Sequence, residues 1–396
     1  MTRDAGSALV TDAALRTALF TIRCLGRHGV RITAVERPTP RRENLGALSR
    51  YVSRTADVPD NLTDGAAFAA ALLELAPGHD VLLPMGMHAI NPVARCADAF
   101  AARIKLALAP AETIDRADNT PLLLGMAREL GIPVPAQWKV ADYPSLGRLA
   151  EAVRYPAFVK IGIEAGLPPG DRYAIARNAA ELIAAVERLS PYNPDPIIQE
   201  QLTGPGIGFE ALYDFEHRPV ARFAHRRLRQ YPLEGGPSTY CVSIHDSRAE
   251  EYSLRLLEHL RWTGLAMVEF KIDERTGTPV LMEINPRPWG SMQLAIHAGV
   301  EFPWLWYQLA RDGRLPAQPD WKDGVRLRYF ANDARAALAE VRRAGSLGDK
   351  AAIIGSLFDP RVAEGVFSLR DPKPSWAYLT KALRRAVGGD GHGAVA

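Results

Sequence analysis

The chain has 396 residues, of which 47% are hydrophobic and 23% are charged. This composition is ordinary for a globular protein and excludes disordered, collagenous and fibrous chains. The 48 basic and 45 acidic residues leave a formal charge of +3, which is too small a surplus to favour nucleic acid as a partner. At roughly 100 to 200 residues per domain, two or three domains fit.

The first 114 residues alternate short apolar strands with helices. We predict strands at 8–11, 30–35, 80–86 and 104–109, and an alanine- and leucine-rich helix at 65–75. This alternation is typical of a parallel sheet covered by helices, as in a Rossmann-like α/β domain. No Gly-x-Gly-x-x-Gly motif follows the first strand, so we do not assign an NAD or FAD site.

A mixed, mostly antiparallel α+β pattern follows. A helix beginning at Asn119 ends at Gly131, because two prolines in 132–135 cannot continue it. Further strands are predicted at 157–161, 197–200, 208–214, 219–224 and 238–244, and helices at 179–189 and 248–259. Residues 264–273 and 279–285 form a predicted hairpin.

Two glutamates interrupt the apolar strands of this hairpin. Glu269 and Glu283 each have apolar neighbours, and an ionised carboxylate in an apolar layer needs a cation or hydrogen-bond donors. Asn285 adds a neutral oxygen on the face of Glu283, because residues i and i+2 share a strand face. Either glutamate alone would also fit a strand end that faces solvent. Together with Asn285, they favour a site for Mg²⁺ held jointly with nucleotide phosphates.

Two other segments can serve the same nucleotide. Lys160 stands at a strand end before a loop, where its ammonium group can reach phosphates, although a surface lysine is the alternative. Residues 197–204 run from an apolar strand into a Gly/Pro turn, and such a segment can connect two lobes and offer backbone groups to a purine edge.

These segments occur in one order, with Lys160 first, Gln199 to Leu202 next, then Glu269, and finally Glu-Ile-Asn-Pro-Arg-Pro-Trp-Gly-Ser at 283–291. In this order the chain resembles the ATP-grasp enzymes, in the branch of carbamoyl phosphate synthetase and biotin carboxylase. It is still more similar to predicted carboxylate-amine ligases, in which His-Arg-Arg-Leu-Arg (225–229) and Gly-Gly-Pro-Ser-Thr (235–239) precede that last segment. The resemblance is strong over 110–312.

The resemblance implies a fold class and three segments. Residues 1–114 would form the α/β Rossmann-like domain that precedes ATP-grasp modules. An α+β ATP-grasp fold of two lobes would follow, with a small lobe, or lid, at 115–195 and a large lobe carrying the metal and phosphate site at 196–314. Beyond the resemblance, the sequence itself predicts a C-terminal helical extension at 315–396, with helices at 333–343 and 375–387.

The resemblance also implies a role for each matching residue. Arg287, beside the transferred phosphoryl group, and Lys160, at the α- and β-phosphates, would act in catalysis. Glu269, Glu283 and Asn285 would bind the metal. Nucleotide binding is expected of Lys160, Gln199, Glu200, Gln201, Leu202 and Glu210. Substrate binding is expected of Arg227, Arg229, Ser238 and Ser291, since arginine forks match carboxylates. The implied cofactors are ATP and Mg²⁺, which Mn²⁺ can replace.

One residue and one loop depart from the pattern of the family. Many relatives carry a phosphate-binding lysine where this chain has Asn119. The lid loop, Ala165 to Arg172, has only two glycines and a stiff proline pair where mobility is expected. We consider Arg172 and Lys105 as residues that could supply the missing charge.

The resemblance implies an ADP-forming ligase that activates a small carboxylate as an acylphosphate and couples it to an amine, on amino-acid-like substrates. One alternative is an enzyme that activates bicarbonate or carbamate, although no biotin-attachment Met-Lys-Met motif occurs. A second alternative is a non-catalytic ATP sensor or scaffold. The expected partners are small molecules, with neither nucleic acid nor membrane, and a homodimer is an alternative that the sequence leaves open.

The expected location is the cytoplasm. Cys24, Cys96 and Cys241 form neither a disulfide framework nor a Cys-x-x-Cys metal motif, which suits a reducing compartment. The N-terminal residues lack the apolar run of a secretory signal, and no window approaches the roughly 18 apolar residues that cross a bilayer.

Overall fold

The computed structural model describes residues 6–161, 173–233, 236–315, 318 and 320–387. These residues form strands with the following bounds: β1 Ser7–Val10, β2 Arg31–Glu36, β3 Val52–Asp57, β4 Val81–Leu83, β5 Gln137–Trp138, β6 Ala157–Lys160, β7 Tyr173–Ala176, β8 Ile197–Glu200, β9 Gly206–Tyr213, β10 Pro219–Gln230, β11 Ser238–Ser243, β12 Gly264–Asp273, β13 Thr278–Asn285, β14 Arg326–Arg328 and β15 Ala363–Glu364.

The helices of the same residues have these bounds: α1 Arg16–Arg27, α2 Gly65–Leu75, α3 Met87–Arg95, α4 Ala97–Ala101, α5 Ala111–Asp118, α6 Thr120–Glu129, α7 Leu146–Ala152, α8 Ala179–Leu189, α9 Ser247–His259, α10 Met292–Ala298, α11 Phe302–Asp312, α12 Phe330–Arg343, α13 Leu347–Ser356 and α14 Pro372–Val387. The longest of them has 16 residues, and none within the described ranges has the length and apolarity that crossing a membrane requires.

The chain divides into two compact units. The first unit comprises Met1–Leu123, Pro205–Glu269 and Glu283–Ala396, and the second comprises Leu124–Gly204 and Phe270–Met282. Both units are discontinuous in sequence, whereas the four segments predicted from the sequence are consecutive.

A parallel sheet lies at the start of the first unit. Its strand order is β3-β2-β1-β4, and β1 pairs in parallel with both β2 and β4. Every residue of β1 and β4 is buried, which explains why both strands are continuous apolar runs. Helix α2 packs its apolar residues Phe68 and Leu72 into this core, and the Asp64 carboxylate caps the helix by accepting a hydrogen bond from the Ala67 N–H at 2.8 Å.

The predicted strand at 104–109 is wrong. The chain there makes only an isolated bridge between Val81 and Lys105 within the described residues. Ile104 and Ala107 are buried, so the apolar run reflects burial of single side chains rather than a ladder of hydrogen bonds.

A larger sheet carries the predicted hairpin. Its strand order is β13-β12-β9-β10-β11-β14-β15, and β10 pairs antiparallel with both β9 and β11. Strand β10 continues to Gln230, beyond the predicted end at residue 224. The last two strands come from the segment predicted as helical: β14 pairs antiparallel with β11 through Leu327 and Cys241.

The C-terminal segment is fixed to helix α1 inside the first unit. The Arg23 guanidinium donates to Asp371 Oδ2 at 2.9 Å, and the two side chains are only 7% and 2% exposed. Arg23 also donates to the Val366 carbonyl oxygen at 2.6 Å, and Asp371 accepts from the Ser49 hydroxyl at 2.8 Å. Residues 366–375 therefore complete the packing of α1.

The second unit has its own sheet and core. The strand order is β5-β8-β6-β7, and β6 pairs antiparallel with β7 and β8. Helices α7 and α8 contribute Leu149 and Leu182 to a core with Val159 of β6. Helix α8 begins where the Asn178 side chain accepts a hydrogen bond from the Glu181 N–H at 2.9 Å.

Candidate functional site

Glu269, Glu283 and Asn285 come together in the first unit, at adjacent positions of β12 and β13. The Asn285 amide Nδ2 donates to Glu283 Oε1 at 2.9 Å and to Glu269 Oε1 at 3.2 Å. Glu283 is exposed, Glu269 is half-buried and Asn285 is 9% exposed. Two carboxylates and one amide thus converge at a point that solvent can reach from the side of Glu283.

Arg227 of β10 binds the same cluster. Its Nη2 donates a short hydrogen bond to Glu269 Oε2, and the two side chains are 18% and 15% exposed. The Arg227 Nε is buried and has no hydrogen-bond partner among the described residues. One donor of this guanidinium therefore holds a carboxylate, while another is left unsatisfied.

Two glycines of β9 make room for the side chains of β10. A Cβ on Gly206 would lie 2.9 Å from Arg227 Cδ, and a Cβ on Gly208 would lie 2.4 Å from His225 Cε1. Because β9 lies between β10 and β12, the glycines let Arg227 pass over β9 and reach Glu269. The space that these two β10 side chains need is the physical reason for glycine at positions 206 and 208.

A buried pair lies beside Arg227. Glu210 Oε1 and His225 Nδ1 are 2.6 Å apart, and the two side chains are 0% and 1% exposed. Burial, followed by the charge of Glu269, raises the pKa of Glu210 well above its ordinary value. Burial, followed by the charge of Arg227, lowers the pKa of His225 to about 3. The favoured form is a neutral acid that donates to a neutral imidazole.

Glu210 and His225 are only partly foreseen by the sequence. Glu210 is expected to meet the nucleotide, yet its side chain is fully buried against His225. His225 is not among the predicted site residues, although Glu210 and His225 both interrupt apolar strands in the same way as Glu269. Ser291, expected at the substrate, is buried with its hydroxyl 3.5 Å from His225 Nδ1.

The Arg229 guanidinium binds side chains of the protein itself. Its guanidinium donates to Asp333 Oδ2 and Glu340 Oε2, both at 2.8 Å, and to the Ser356 hydroxyl at 2.9 Å. The pairing of β10 with β11 shifts register between Arg227 and Arg229, and Arg229 contacts α12 and α13 instead of the cluster. Ser238 starts β11, and its hydroxyl donates to the Tyr240 carbonyl at 3.2 Å.

In the second unit, Lys160 and Gln199 lie side by side on β6 and β8. The Lys160 ammonium donates to Gln199 Oε1 at 3.0 Å and lies 4.9 Å from the centre of the Phe158 ring. Lys160 is half-buried, so its ammonium group sits on the sheet rather than extending into solvent.

The segment after β8 is anchored by contacts that the sequence did not indicate. Glu200 accepts from Arg275 Nη2 at 2.6 Å, and the Leu202 carbonyl accepts from the Lys271 ammonium at 3.1 Å. The Gln201 N–H donates to the Pro156 carbonyl at 3.0 Å. Lys271 is one of only eight lysines, and its place in an apolar strand was the available signal.

The remaining predicted residues have local contacts. Arg287 is half-buried and donates to the Pro288 carbonyl at 3.3 Å. Asn119, at the position of the missing lysine, accepts from the Leu122 N–H at 3.1 Å at the start of α6. The Lys105 ammonium donates to the Arg311 carbonyl. Arg172 and the rest of the predicted lid loop at 165–172 lie outside the described residues.

Comparison with known proteins finds similarity to one family over part of the chain. Residues 194–332 match a family model described as "ATP-grasp in the biosynthetic pathway with Ter operon". The chain is 25% identical over 196 residues to "Carbamoyl phosphate synthase large chain, N-terminal section" of Methanopyrus kandleri. The aligned residues make up 47% of this chain and 34% of that protein. The chain thus spans about a third of the length of this curated relative.

Solved structures share the fold. An L-amino acid ligase from Bacillus licheniformis superposes with a TM-score of 0.59 at 17% identity, over 79% of this chain and 76% of that one. A biotin carboxylase from Campylobacter jejuni, solved as a "beta-gamma-ATP Complex", gives a TM-score of 0.63 at 16% identity, over 81% of this chain and 74% of that one. At such identities the likeness concerns the fold.

Proposed function

We propose that this chain, which has an ATP-grasp fold and an ATP-grasp family segment at 194–332, is an ADP-forming ligase. It would activate a small carboxylate as an acylphosphate and couple it to an amine. The carboxylate oxygen attacks the γ-phosphorus of ATP and ADP leaves; the amine nitrogen then attacks the acyl carbon and phosphate leaves. The proposed substrates are amino-acid-like, as the name of the ligase from Bacillus licheniformis suggests.

The observation that carries this proposal is the convergence of Glu269, Glu283 and Asn285. Both carboxylates share one amide donor, and an arginine on a third strand balances part of their charge. Such a set fits a divalent cation, because carboxylate and amide oxygens are the ligands that Mg²⁺ prefers. Rotation of the Asn285 amide would turn its oxygen, instead of its nitrogen, toward the carboxylates.

We assign the metal to Glu269, Glu283 and Asn285. When bound with ATP, Mg²⁺ would neutralise charge on the phosphate oxygens. Phosphoryl transfer needs fixed cations more than a general acid or base, which suits a site rich in arginine. Lys160 and Arg287 are the proposed residues for the phosphates. We also propose that Glu200 to Leu202 bind the nucleotide, with Gln199 orienting Lys160 through their hydrogen bond.

Arg227 is the residue proposed to bind the substrate carboxylate. Its buried Nε has no hydrogen-bond partner among the described residues, and a guanidinium presents donors in a fork that matches a carboxylate. We propose structural roles for Arg229 and for Glu210, because both side chains are buried against partners inside the protein. Ser238 and Ser291 remain proposed contacts of the substrate side.

Hydroxylamine trapping tests the proposal. The protein is incubated with ATP, Mg²⁺, hydroxylamine and a panel of amino acids and other small acids, and the products are identified by mass. A hydroxamate that depends on one acid, formed with equal release of ADP, identifies an activated carboxylate. ATP hydrolysis stimulated by bicarbonate without any hydroxamate would point to the carboxylase alternative. Nucleotide binding without any turnover would contradict the ligase.

A further inference from the structure

A cysteine, a histidine and a glutamate meet at a second place in the first unit, away from the carboxylate cluster in sequence. Cys24 and His28 stand four residues apart at the end of α1, and Glu301 immediately precedes α11. One ligand atom of each residue lies within 4.8 Å of the other two. His28 is the residue that follows α1, and its four-residue spacing from Cys24 brings the thiol and the imidazole together at the C-terminal end of this helix.

The three side chains are already in contact. His28 Nε2 and Glu301 Oε2 are 2.7 Å apart. Burial, followed by the charge of Glu301, raises the pKa of the Cys24 thiol to about 12, and the thiol also contacts the Glu301 carboxylate. Cys24 is fully buried, whereas the side chains of His28 and Glu301 are each 32% exposed. The cluster therefore has a buried sulfur at its base and an opening to solvent above it.

Neighbouring groups hold the imidazole and the carboxylate in place. The His28 ring stacks on the Trp304 ring with centroids 4.1 Å apart and planes 5° from parallel. The other carboxylate oxygen, Glu301 Oε1, accepts from Arg27 Nη2 at 3.2 Å. Glu301 Oε2 thus contacts His28, while Arg27 binds Oε1. Hydrogen bonds of this kind, from residues outside the ligand set, orient the ligands in metal sites.

We propose that Cys24, His28 and Glu301 form a binding site for Zn²⁺. Sulfur, imidazole nitrogen and carboxylate oxygen are the three ligand types that Zn²⁺ takes in proteins. One thiolate and one carboxylate balance the charge of the ion, so the bound site is neutral. On binding, the Sγ–H bond breaks, its proton goes to solvent and an Sγ–Zn bond forms. The fourth position faces the opening and is left for a solvent ligand.

The consequence of binding would be a link between α1 and the start of α11. These helices are separated by more than 270 residues in the sequence, and both belong to the first unit. A ligand that binds only the folded state stabilises it in proportion to the logarithm of its concentration over its Kd. The site does not depend on the proposed ligase activity, because it uses none of the residues assigned to that reaction.

Cobalt substitution tests the site in the full-length protein. The protein is treated with a chelator, desalted and titrated with Co²⁺ alone, and the near-ultraviolet region is recorded for the thiolate-to-cobalt charge-transfer band. We expect such a band at one ion per chain, and we expect Zn²⁺ to displace it. Zn²⁺ alone should also raise the unfolding temperature. Absence of the band in the unsubstituted protein would overturn the proposal.

Three variants separate the site from a general effect on folding. Cys24→Ala should lose the charge-transfer band, and His28→Gln should weaken Zn²⁺ binding by at least about tenfold. His28 is at the surface end of the cluster, so this variant should keep the circular dichroism of the parent. Cys96→Ser is the matched control and should keep the band. A band that survives in Cys24→Ala or vanishes in Cys96→Ser, or equal Zn²⁺ affinity in His28→Gln, would refute the assignment.

Discussion

Arg227 and Glu269 form an ion pair across an intervening strand. They lie on β10 and β12, and β9 runs between those strands with Gly206 under the arginine side chain. The carboxylate that pairs with the guanidinium is therefore also a proposed ligand of the metal ion. In the ligase proposal, a divalent ion at Glu269 competes for this carboxylate and leaves the Arg227 donors for a substrate.

The first prediction concerns Arg227→Gln. Loss of the guanidinium should lower kcat/KM for the acid substrate by at least about tenfold, because a bidentate partner of the carboxylate is lost. The KM for ATP should change little. Steady-state kinetics with each substrate varied in turn provide the measurement. Arg226→Gln is the matched control, since Arg226 is exposed on the same strand; a similar loss in both variants would contradict the assignment.

The second prediction concerns Glu283→Gln. An amide keeps the shape of the side chain but removes the charge that would hold Mg²⁺, so ADP release should fall by at least about 100-fold. Glu283 is exposed, and circular dichroism should be unchanged. Coupled detection of ADP over a range of Mg²⁺ concentrations gives the rate. Glu274→Gln, in the turn of the same hairpin, should keep full activity. Normal turnover of Glu283→Gln would remove the metal assignment.

The third prediction concerns Gly208→Ala. The added Cβ would lie 2.4 Å from His225 Cε1 and 2.8 Å from Nδ1, so one of two buried strands must shift. We expect a loss of about 1–3 kcal/mol in the free energy of unfolding, measured by urea denaturation. Gly125→Ala in α6 meets open space and should instead stabilise by about 0.5–1 kcal/mol. Equal effects of the two substitutions would argue against the packing described for β9.

The fourth prediction concerns Arg229→Met. The change leaves Asp333, whose side chain is 1% exposed, without its cation. Breaking one side of a buried pair typically costs about 3–5 kcal/mol, and we expect a loss in this range in urea denaturation. Arg222→Met removes a surface pair with Glu250 from the same strand and should cost less than about 1 kcal/mol. A loss for Arg229→Met as small as that of the control would show that the buried pair is not important for stability.

The fifth prediction concerns pH and the Glu210–His225 pair. The folded pair holds one proton, since burial raises the pKa of Glu210 and lowers that of His225 to about 3. Above the ordinary histidine pKa of 6.5, the unfolded pair holds none. The stability that this pair contributes should therefore fall as pH rises above 6.5 toward the raised pKa of Glu210, by up to about 1.4 kcal/mol per pH unit.

The substitution Glu210→Gln tests this pH dependence. The folded variant holds no proton at this pair, so the decline above pH 6.5 should disappear. A loss of stability should appear below 6.5 instead, where the unfolded histidine gains a proton. Urea denaturation of both proteins between about pH 5 and about pH 9 provides the comparison, because this range brackets the ordinary pKa of histidine. Parallel curves for the two proteins would contradict the proton count.

Local signals were enough to predict several elements. The predicted bounds 65–75 and 179–189 agree with those of α2 and α8, because Asp64 and Asn178 cap these helices with their own side chains. The apolar strands of the hairpin, broken only by glutamate, also predicted β12. In each case the information lies within a few residues of the element.

Tertiary contacts account for what the sequence could not predict. Strand β14 is only three residues long and depends on β11 for its pairing, so no periodicity could reveal it. Arg227 and Arg229 have the spacing of one strand face, yet a register shift between them directs Arg229 to α12. The presence of such a bulge depends on the strands that pair with β10, which a local pattern does not contain.

The contact between Arg23 and Asp371 bears on how the protein is made. The two residues are 348 positions apart in the chain, so a ribosome that has produced the whole N-terminal sheet has not yet supplied the carboxylate that α1 requires. During that interval Arg23 lacks the carboxylate and carbonyl groups that bind it in the folded protein, and the nascent domain is incompletely packed. We therefore expect the final packing of α1 to follow the synthesis of residues 366–375.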